Sequence, residues 1–279
     1  MAKRHARTEK LIEAAREILR NQNPMTVRQV YYQLVSRQVT ENRKSQYSRV
    51  SKALVSARKE GIIPWAWIED RLRRPRCVST WSGMAEFAVD AAAAYRRGIW
   101  PTQPGYFETW LEKDALSGIF EDTLNPYRVT LNVGRGYDGW DSIHGAAQRM
   151  GRGKGMTILY FGDFDPSGED MAASLGKRLA FFGCEPVIIK CALTYEDIER
   201  YGLPPNFTKR SDTRRAAFVK KYGDVSVELD ALPADVLRER IVSAVEERLD
   251  LDALDEVKRI EVAEQAKLVE ALSTIGTES

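Results

Sequence analysis

Two short acidic elements in this 279-residue sequence have the residue types and spacing of a magnesium site. The segment Tyr106-Phe-Glu-Thr-Trp-Leu111 reads as a strand and runs straight into Glu112. Fifty-one residues later, the run Thr157-Ile-Leu-Tyr-Phe161 leads into Gly162-Asp163-Phe-Asp165-Pro-Ser-Gly168. Both acids therefore sit at the carboxyl ends of predicted parallel strands, where open α/β sheets bind their ligands. Asp163 and Asp165 are two apart on extended backbone, which turns their carboxylates the same way. Glu112, Asp163 and Asp165 with water suit Mg²⁺, which takes few protein carboxylates together with phosphate oxygens. An ion held there would stabilise charge on a phosphoryl group or activate an oxygen nucleophile. The plainer readings are an aspartate capping a helix and a solvated ion pair between Glu112 and Lys113. Pro166 and Gly168 tighten the turn and a matching glutamate precedes it, which favours the metal.

A second candidate is Arg28-Gln-Val-Tyr31-Tyr32. Its helical spacing groups Tyr31 with Val27, Val30 and Leu34 on the core side. Tyr32 turns about 100° away and shares a face with Arg28, four residues earlier. An exposed phenol beside an arginine can attack a phosphodiester and form a covalent link; ordinary amphipathic packing explains the same spacing. Other chemistries find less support. Cys77, Cys184 and Cys191 form no CxxC pair, and His5 and His144 leave a zinc site short of ligands. The glycines at 134–139 and 151–155 complete neither a P-loop nor a dinucleotide fingerprint, so no ATPase site is expected.

The elements that must position these groups fall into an α/β fold with a helical N-terminal domain. Apolar stripes at Leu11, Ile12, Ala15, Ile18 and Leu19, then at Val27 to Val35, read as two helices. A third spans about 45–60, with Arg49, Lys52 and Lys59 outward. Ile62-Ile63-Pro64-Trp65 reads as a short extended element. This order fits a winged helix-turn-helix over residues 1–76, with 71–76 (RLRRPR) as wing or phosphate-contacting loop. A helix near 79–97 and a linker at 98–105 occupy the connecting region 77–105. Residues 106–279 then alternate strands near 106–111, 127–133, 156–162 and 186–192 with helices near 113–123, 139–150 and 167–182. That alternation predicts a mostly parallel sheet covered on both faces. A strand at Val225-Ser-Val-Glu-Leu229 and helices near 233–249 and 254–273 close the chain.

Charge points to a partner. The net charge of +2 hides 18 Lys and Arg against 7 Asp and Glu in residues 1–76, and 6 against 15 in 224–279. A basic first quarter on a nearly neutral chain fits a surface for duplex DNA, where Lys and Arg release condensed counterions from phosphates. At 43% hydrophobic and 29% charged residues the composition is that of a soluble globular protein, with no apolar run of membrane-spanning length. The basic N-terminus leads into an amphipathic helix and not an apolar signal core. The expectation is a cytoplasmic protein, nucleoid-associated in a bacterium.

Taken in order, these motifs resemble the A subunit of type IIB DNA topoisomerase VI and its meiotic double-strand-break relatives, over about residues 26–230. Arg28-Gln-Val-Tyr31-Tyr32 resembles the family's Arg-x-x-Tyr-Tyr segment, which implies Tyr32 as nucleophile with Arg28 beside it. Leu111-Glu-Lys-Asp-Ala-Leu116 resembles the Toprim glutamate motif and Gly162 to Gly168 its metal-binding aspartate motif. This implies Glu112 as acid/base or metal ligand and Asp163 and Asp165 as Mg²⁺ ligands. Val133-Gly-Arg-Gly-Tyr-Asp-Gly-Trp-Asp-Ser142 resembles the glycine-rich segment between them, with Arg135 as a DNA contact. The resemblance implies a Toprim domain of Rossmann type, Mg²⁺-dependent tyrosine transesterification, a homodimer, and a separate ATPase subunit for strand passage. The segment after Tyr137 lacks the family's proline and the chain is short, which fits an orphan member. A Toprim nuclease using water, with Tyr32 structural, and a non-catalytic DNA-binding scaffold are the rival expectations.

Overall fold

The N-terminal apolar stripes close into three helices, α1 (Ala6–Gln22), α2 (Val27–Ser36) and α3 (Lys44–Lys59). The computed structural model describes residues 6–69, 78–134, 139–151, 155–205 and 212–275. The five stripe residues of α1 are all buried. Thr26 starts α2 with a reciprocal capping box, accepting from the Gln29 backbone while Gln29 accepts from the Thr26 N–H. Gly61, at φ +75°, takes the left-handed turn that ends α3. The expected extended element at 62–65 is corrected. Ile63 is buried, Trp65–Trp67 forms a 3₁₀ turn, and pairing is confined to one bridge from Ile68 to Met25. Pro64 begins that turn, and having no N–H it cannot serve a ladder there. Residues 71–76 lie outside the described residues.

A helix α4 (Met84–Ala94) precedes the sheet and is shorter than expected. The sheet has four parallel strands, β1 (Tyr106–Leu111), β2 (Thr130–Val133), β3 (Met156–Phe161) and β4 (Val187–Ala192), in the order β2-β1-β3-β4. Intervening helices are α5 (Ser117–Leu124), α6 (Trp140–Met150) and α7 (Pro166–Phe181). Every residue of β1 is buried, as a central strand covered on both faces requires. Period-two alternation divides its side chains. Phe107 and Leu111 join Leu159, Phe161 and the α5 residues Ile119 and Phe120 on one face. Tyr106 and Trp110 join Ile158, Tyr160, α6 and α7 on the other. The chain moves from β1 outward to β2 over the first face, then returns past β1 to β3 and on to β4 over the second. The strand order reverses between β1 and β3, and that is where an open parallel sheet forms its ligand crevice.

Four more helices complete the chain: α8 (Tyr195–Arg200), α9 (Arg215–Tyr222), α10 (Ala234–Glu246) and α11 (Leu251–Ile275). The expected strand at 225–229 is corrected to bridge pairing at Ser226 and Val227, and the antiparallel bridge from Val227 to Phe164 has both N–H···O contacts at 2.9 Å. This segment enters the loop after β3 through the Phe164 backbone. The N-terminal helices, the first sheet face and α10 share one continuous apolar cluster, from Leu11 through Phe161 to Val257. No helix among the described residues is long and apolar enough to cross a membrane.

Two glycines make the loop after β3 possible. A Cβ on Gly168 would lie 2.3 Å from the Asp163 carbonyl oxygen, and one on Gly162 would lie 2.6 Å from the Glu112 carboxylate. The first conflict is with backbone, which cannot turn aside. Gly168→Ala is therefore expected to lower stability by about 2 kcal/mol or more, read as a drop in denaturation midpoint, whereas Gly139→Ala, where a Cβ meets open space, should leave it nearly unchanged.

Candidate functional site

Glu112 and Asp163 emerge side by side, because the β1–β3 register pairs Leu111 with Phe161. The Glu112 N–H donates to the Phe161 carbonyl at 2.9 Å, and Gly162 is pinned to β4 through Ala192. Glu112 Oε2 accepts the Asp163 N–H at 3.0 Å. Burial, followed by the nearby charge of Asp163, pushes the Glu112 carboxyl up to about 7, with Asp165 adding to the effect. Asp165 begins α7. Its Oδ1 accepts from the Gly168 N–H at 2.7 Å, with Pro166 in the first turn, so it is an N-cap as well as a member of the acidic group. Asp163 and Asp165, two apart in the loop, are held by different hydrogen-bond donors. Asp163 Oδ1 accepts from the Leu229 N–H at 2.7 Å.

Lys113 is not the solvent-exposed partner of Glu112. Its side chain is 18% exposed, and its ammonium lies 3.3 Å from Asp163 Oδ1, 2.8 Å from Glu228 Oε2 and 3.1 Å from Asp230 Oδ2. Burial opposes that charge, but the three carboxylates more than offset it and raise the lysine pKa. Asp230 is wholly buried, and burial pushes its carboxyl up despite Lys113 and Arg28. The Lys190 ammonium lies 3.3 Å from the Asp163 carbonyl and pairs with Glu169. Lys190, Glu228 and Asp230 escaped sequence reasoning, and Lys113 entered it only as a solvated partner of Glu112. Val225-Ser-Val-Glu-Leu229 reads as a strand of no chemical interest, and nothing in its spacing shows that it returns to the first acidic motif.

The tyrosine face is corrected. Tyr31 is core, as its spacing predicts, and its hydroxyl donates toward Asn42 Oδ1 at 3.1 Å. Tyr32 is buried too, at 5% exposure, because the 3₁₀ turn Leu229–Ala231 packs on that face of α2. Arg28 is held by Glu228 at 2.5 Å and Asp230 at 3.1 Å. Burial and then the charge of Glu228 push the Tyr32 phenol up to about 12, so it is neutral near pH 7 and poorly disposed to attack. Both tyrosines, Arg28 and Glu228 border an open cavity of about 410 Å³ whose rim includes Arg43 and Lys44.

The basic face of α3 lies elsewhere. Arg49 and Lys52 line a groove with Thr8, Ser45, Ser48 and Ser56, while Lys59 is exposed near the end of the helix. Arg135 lies outside the described residues. Among the described residues no three acidic, histidine or cysteine side chains form a ready cluster of metal ligands. Mg²⁺ needs less, because it keeps several waters and binds through one or two carboxylates plus substrate oxygens. A carboxyl pushed up to about 7 beside two aspartates is a donor set that a cation would relieve, and in that sense the residues fit the ion.

No family model matches the chain. A curated protein that does match is the imidazole glycerol phosphate synthase subunit HisF of Anoxybacillus flavithermus, 24% identical over 151 residues, which are 53% of this chain. The chain spans 57% of the length of that relative. The relative is a synthase subunit and not a DNA-cleaving enzyme, and this overturns the reading of the motifs as topoisomerase-type cleavage through Tyr32. Burial of that tyrosine and commitment of Arg28 to Glu228 and Asp230 agree with the correction.

Proposed function

We propose that the chain is a Mg²⁺-dependent enzyme acting on a phosphate ester, with Glu112, Asp163 and Asp165 holding the ion in a sheet domain of Toprim type. The observation that carries this reading is the emergence of Glu112 and Asp163 from β1 and β3, the two strands between which the strand order reverses. When bound, Mg²⁺ would offset charge on phosphoryl oxygens. The protein's own groups act around that point. Glu112, raised to about 7 in the metal-free protein, gives up its proton when it ligates the ion. Lys190 and Lys113 set positive charge beside the Asp163 segment. The name of the relative, imidazole glycerol phosphate synthase, speaks of a phosphate ester and agrees with that substrate class. We further propose that α1 to α3 are a DNA-facing unit of winged-helix type, with Arg49, Lys52 and Lys59 contacting phosphates. Arg49 and Lys52 line one groove with Thr8, Ser45, Ser48 and Ser56, and Lys59 is exposed near the end of α3.

Calorimetric titration of the wild-type chain with MgCl₂ should show saturable binding that Asp163→Asn weakens at least tenfold. Binding should strengthen as pH rises through about 7, because Glu112 must lose its proton to ligate. The same variant should lose Mg²⁺-dependent release of nitrophenol from a nitrophenyl phosphate ester. Saturable binding unchanged by Asp163→Asn would overturn the assignment. For the helical unit, reversing the charges of Arg49 and Lys52 should weaken duplex DNA binding and flatten its dependence on salt by about two in log–log slope. Identical slopes for variant and wild type would reject α3 as the contact.

A further inference from the structure

Lys113 occupies the position of a resident counter-ion. Its ammonium is the cation nearest the Asp163 carboxylate among the described contacts, yet Asp163 is the most distant of its three acidic partners, at 3.3 Å against 2.8 Å for Glu228 and 3.1 Å for Asp230. Asp230 is the unusual member. It has no exposed side-chain surface, and neither oxygen meets a donor at good hydrogen-bonding angles. Among the described residues its close neighbours of opposite charge are Lys113 and Arg28, each 3.1 Å from Oδ2. A carboxylate so placed is expensive unless cations stay beside it. Arg28, already shared with Glu228, helps to anchor that pair from α2.

We propose that Lys113 is a built-in substitute for the metal: it balances Asp163 in the metal-free protein and withdraws onto Glu228 and Asp230 when a divalent cation takes Asp163. The inference rests on the Mg²⁺ reading above and assigns Glu228 and Asp230 as positioning residues that retain the displaced ammonium. Asp163 keeps its bond from the Leu229 N–H throughout, so the carboxylate stays oriented while its cation is exchanged. The exchange is one of position, with no proton or electron transferred. Two opposite signs follow. Removing the ammonium frees Asp163 for the metal, and neutralising Asp230 drives the ammonium harder onto Asp163.

Calorimetric titration of the full chain with MgCl₂ reads both signs. Lys113→Gln should bind Mg²⁺ about tenfold more tightly than wild type, Asp230→Asn severalfold more weakly, and Lys113→Arg close to wild type. If Lys113→Gln fails to fold, the double variant Lys113→Gln/Asp230→Asn removes the ammonium together with the carboxylate that needs it, and it should still bind more tightly than Asp230→Asn alone. Lys190→Gln controls for general charge, since that ammonium touches the Asp163 backbone and not its carboxylate. Equal tightening in Lys190→Gln, or unchanged or weaker binding in Lys113→Gln, would overturn the proposal while leaving the Mg²⁺ site standing. Absence of Mg²⁺ binding by wild type would remove both readings together.

Discussion

A lysine ammonium largely shut off from water has to find its counter-charges within the protein, and Lys113 finds them on two distant stretches of chain. Asp163 comes from the loop after β3, while Glu228 and Asp230 come from the segment that crosses that loop through the Val227–Phe164 bridge. Arg28 of α2 leans on the same two C-terminal acids. Three carboxylates and two cations thus tie the helical unit, the sheet and the C-terminal segment at one point. Breaking one partner of such a buried set typically costs about 3–5 kcal/mol, because the remaining charge is stranded. Arg28, 43% exposed, adds a weaker, solvent-screened share of that tie, and the 3₁₀ turn Leu229–Ala231 lies against the face of α2 that carries Tyr32.

Around this point the backbone supplies what side chains cannot. The Leu229 N–H holds Asp163, the Asp163 N–H holds Glu112, and the Gly168 N–H holds Asp165. Three carboxylates gathered near one strand-order reversal would repel one another into other rotamers without such donors. Gly162 and Gly168 let the donors approach. Each sits where a Cβ would collide with the group being held or with the carbonyl beside it. The loop is therefore organised from backbone outward, and its acids are oriented without a bound cation.

Much of this was legible in the sequence, for physical reasons that can be named. β1 was readable to the residue because four of the six residues between Gly105 and Glu112 are aromatic or β-branched; the buried exception, Glu108, is paired with Arg149. The positions of Glu112 and Asp163 at strand carboxyl ends followed from the alternation of strand and helix, while the adjacency of β1 and β3 did not. Helices α8 and α9 and the role of residues 225–231 did not, since helices of six and eight residues and isolated bridge pairing leave almost no periodic signal. Lys113 was visible as a residue, but its partners lie 50 to 117 positions away, and no local pattern encodes them.

The two tyrosines of α2 show where helical geometry stops being informative. Spacing turns the two side chains about 100° apart on α2, yet both end in one continuous buried cluster. An α-helix presents every side chain to some surrounding, however, and spacing cannot say whether that surrounding is water or another element. Here the opposite face of α2 meets a distant acidic turn, and an amphipathic reading becomes a helix buried on both sides. What makes that second burial tolerable is charge. Arg28 enters with the turn's own acids, and Tyr32 enters as a neutral phenol raised to about 12 by burial and by Glu228. The arginine and tyrosine that look like a reactive pair in sequence are, in the fold, part of the joint that holds the carboxylate site in place.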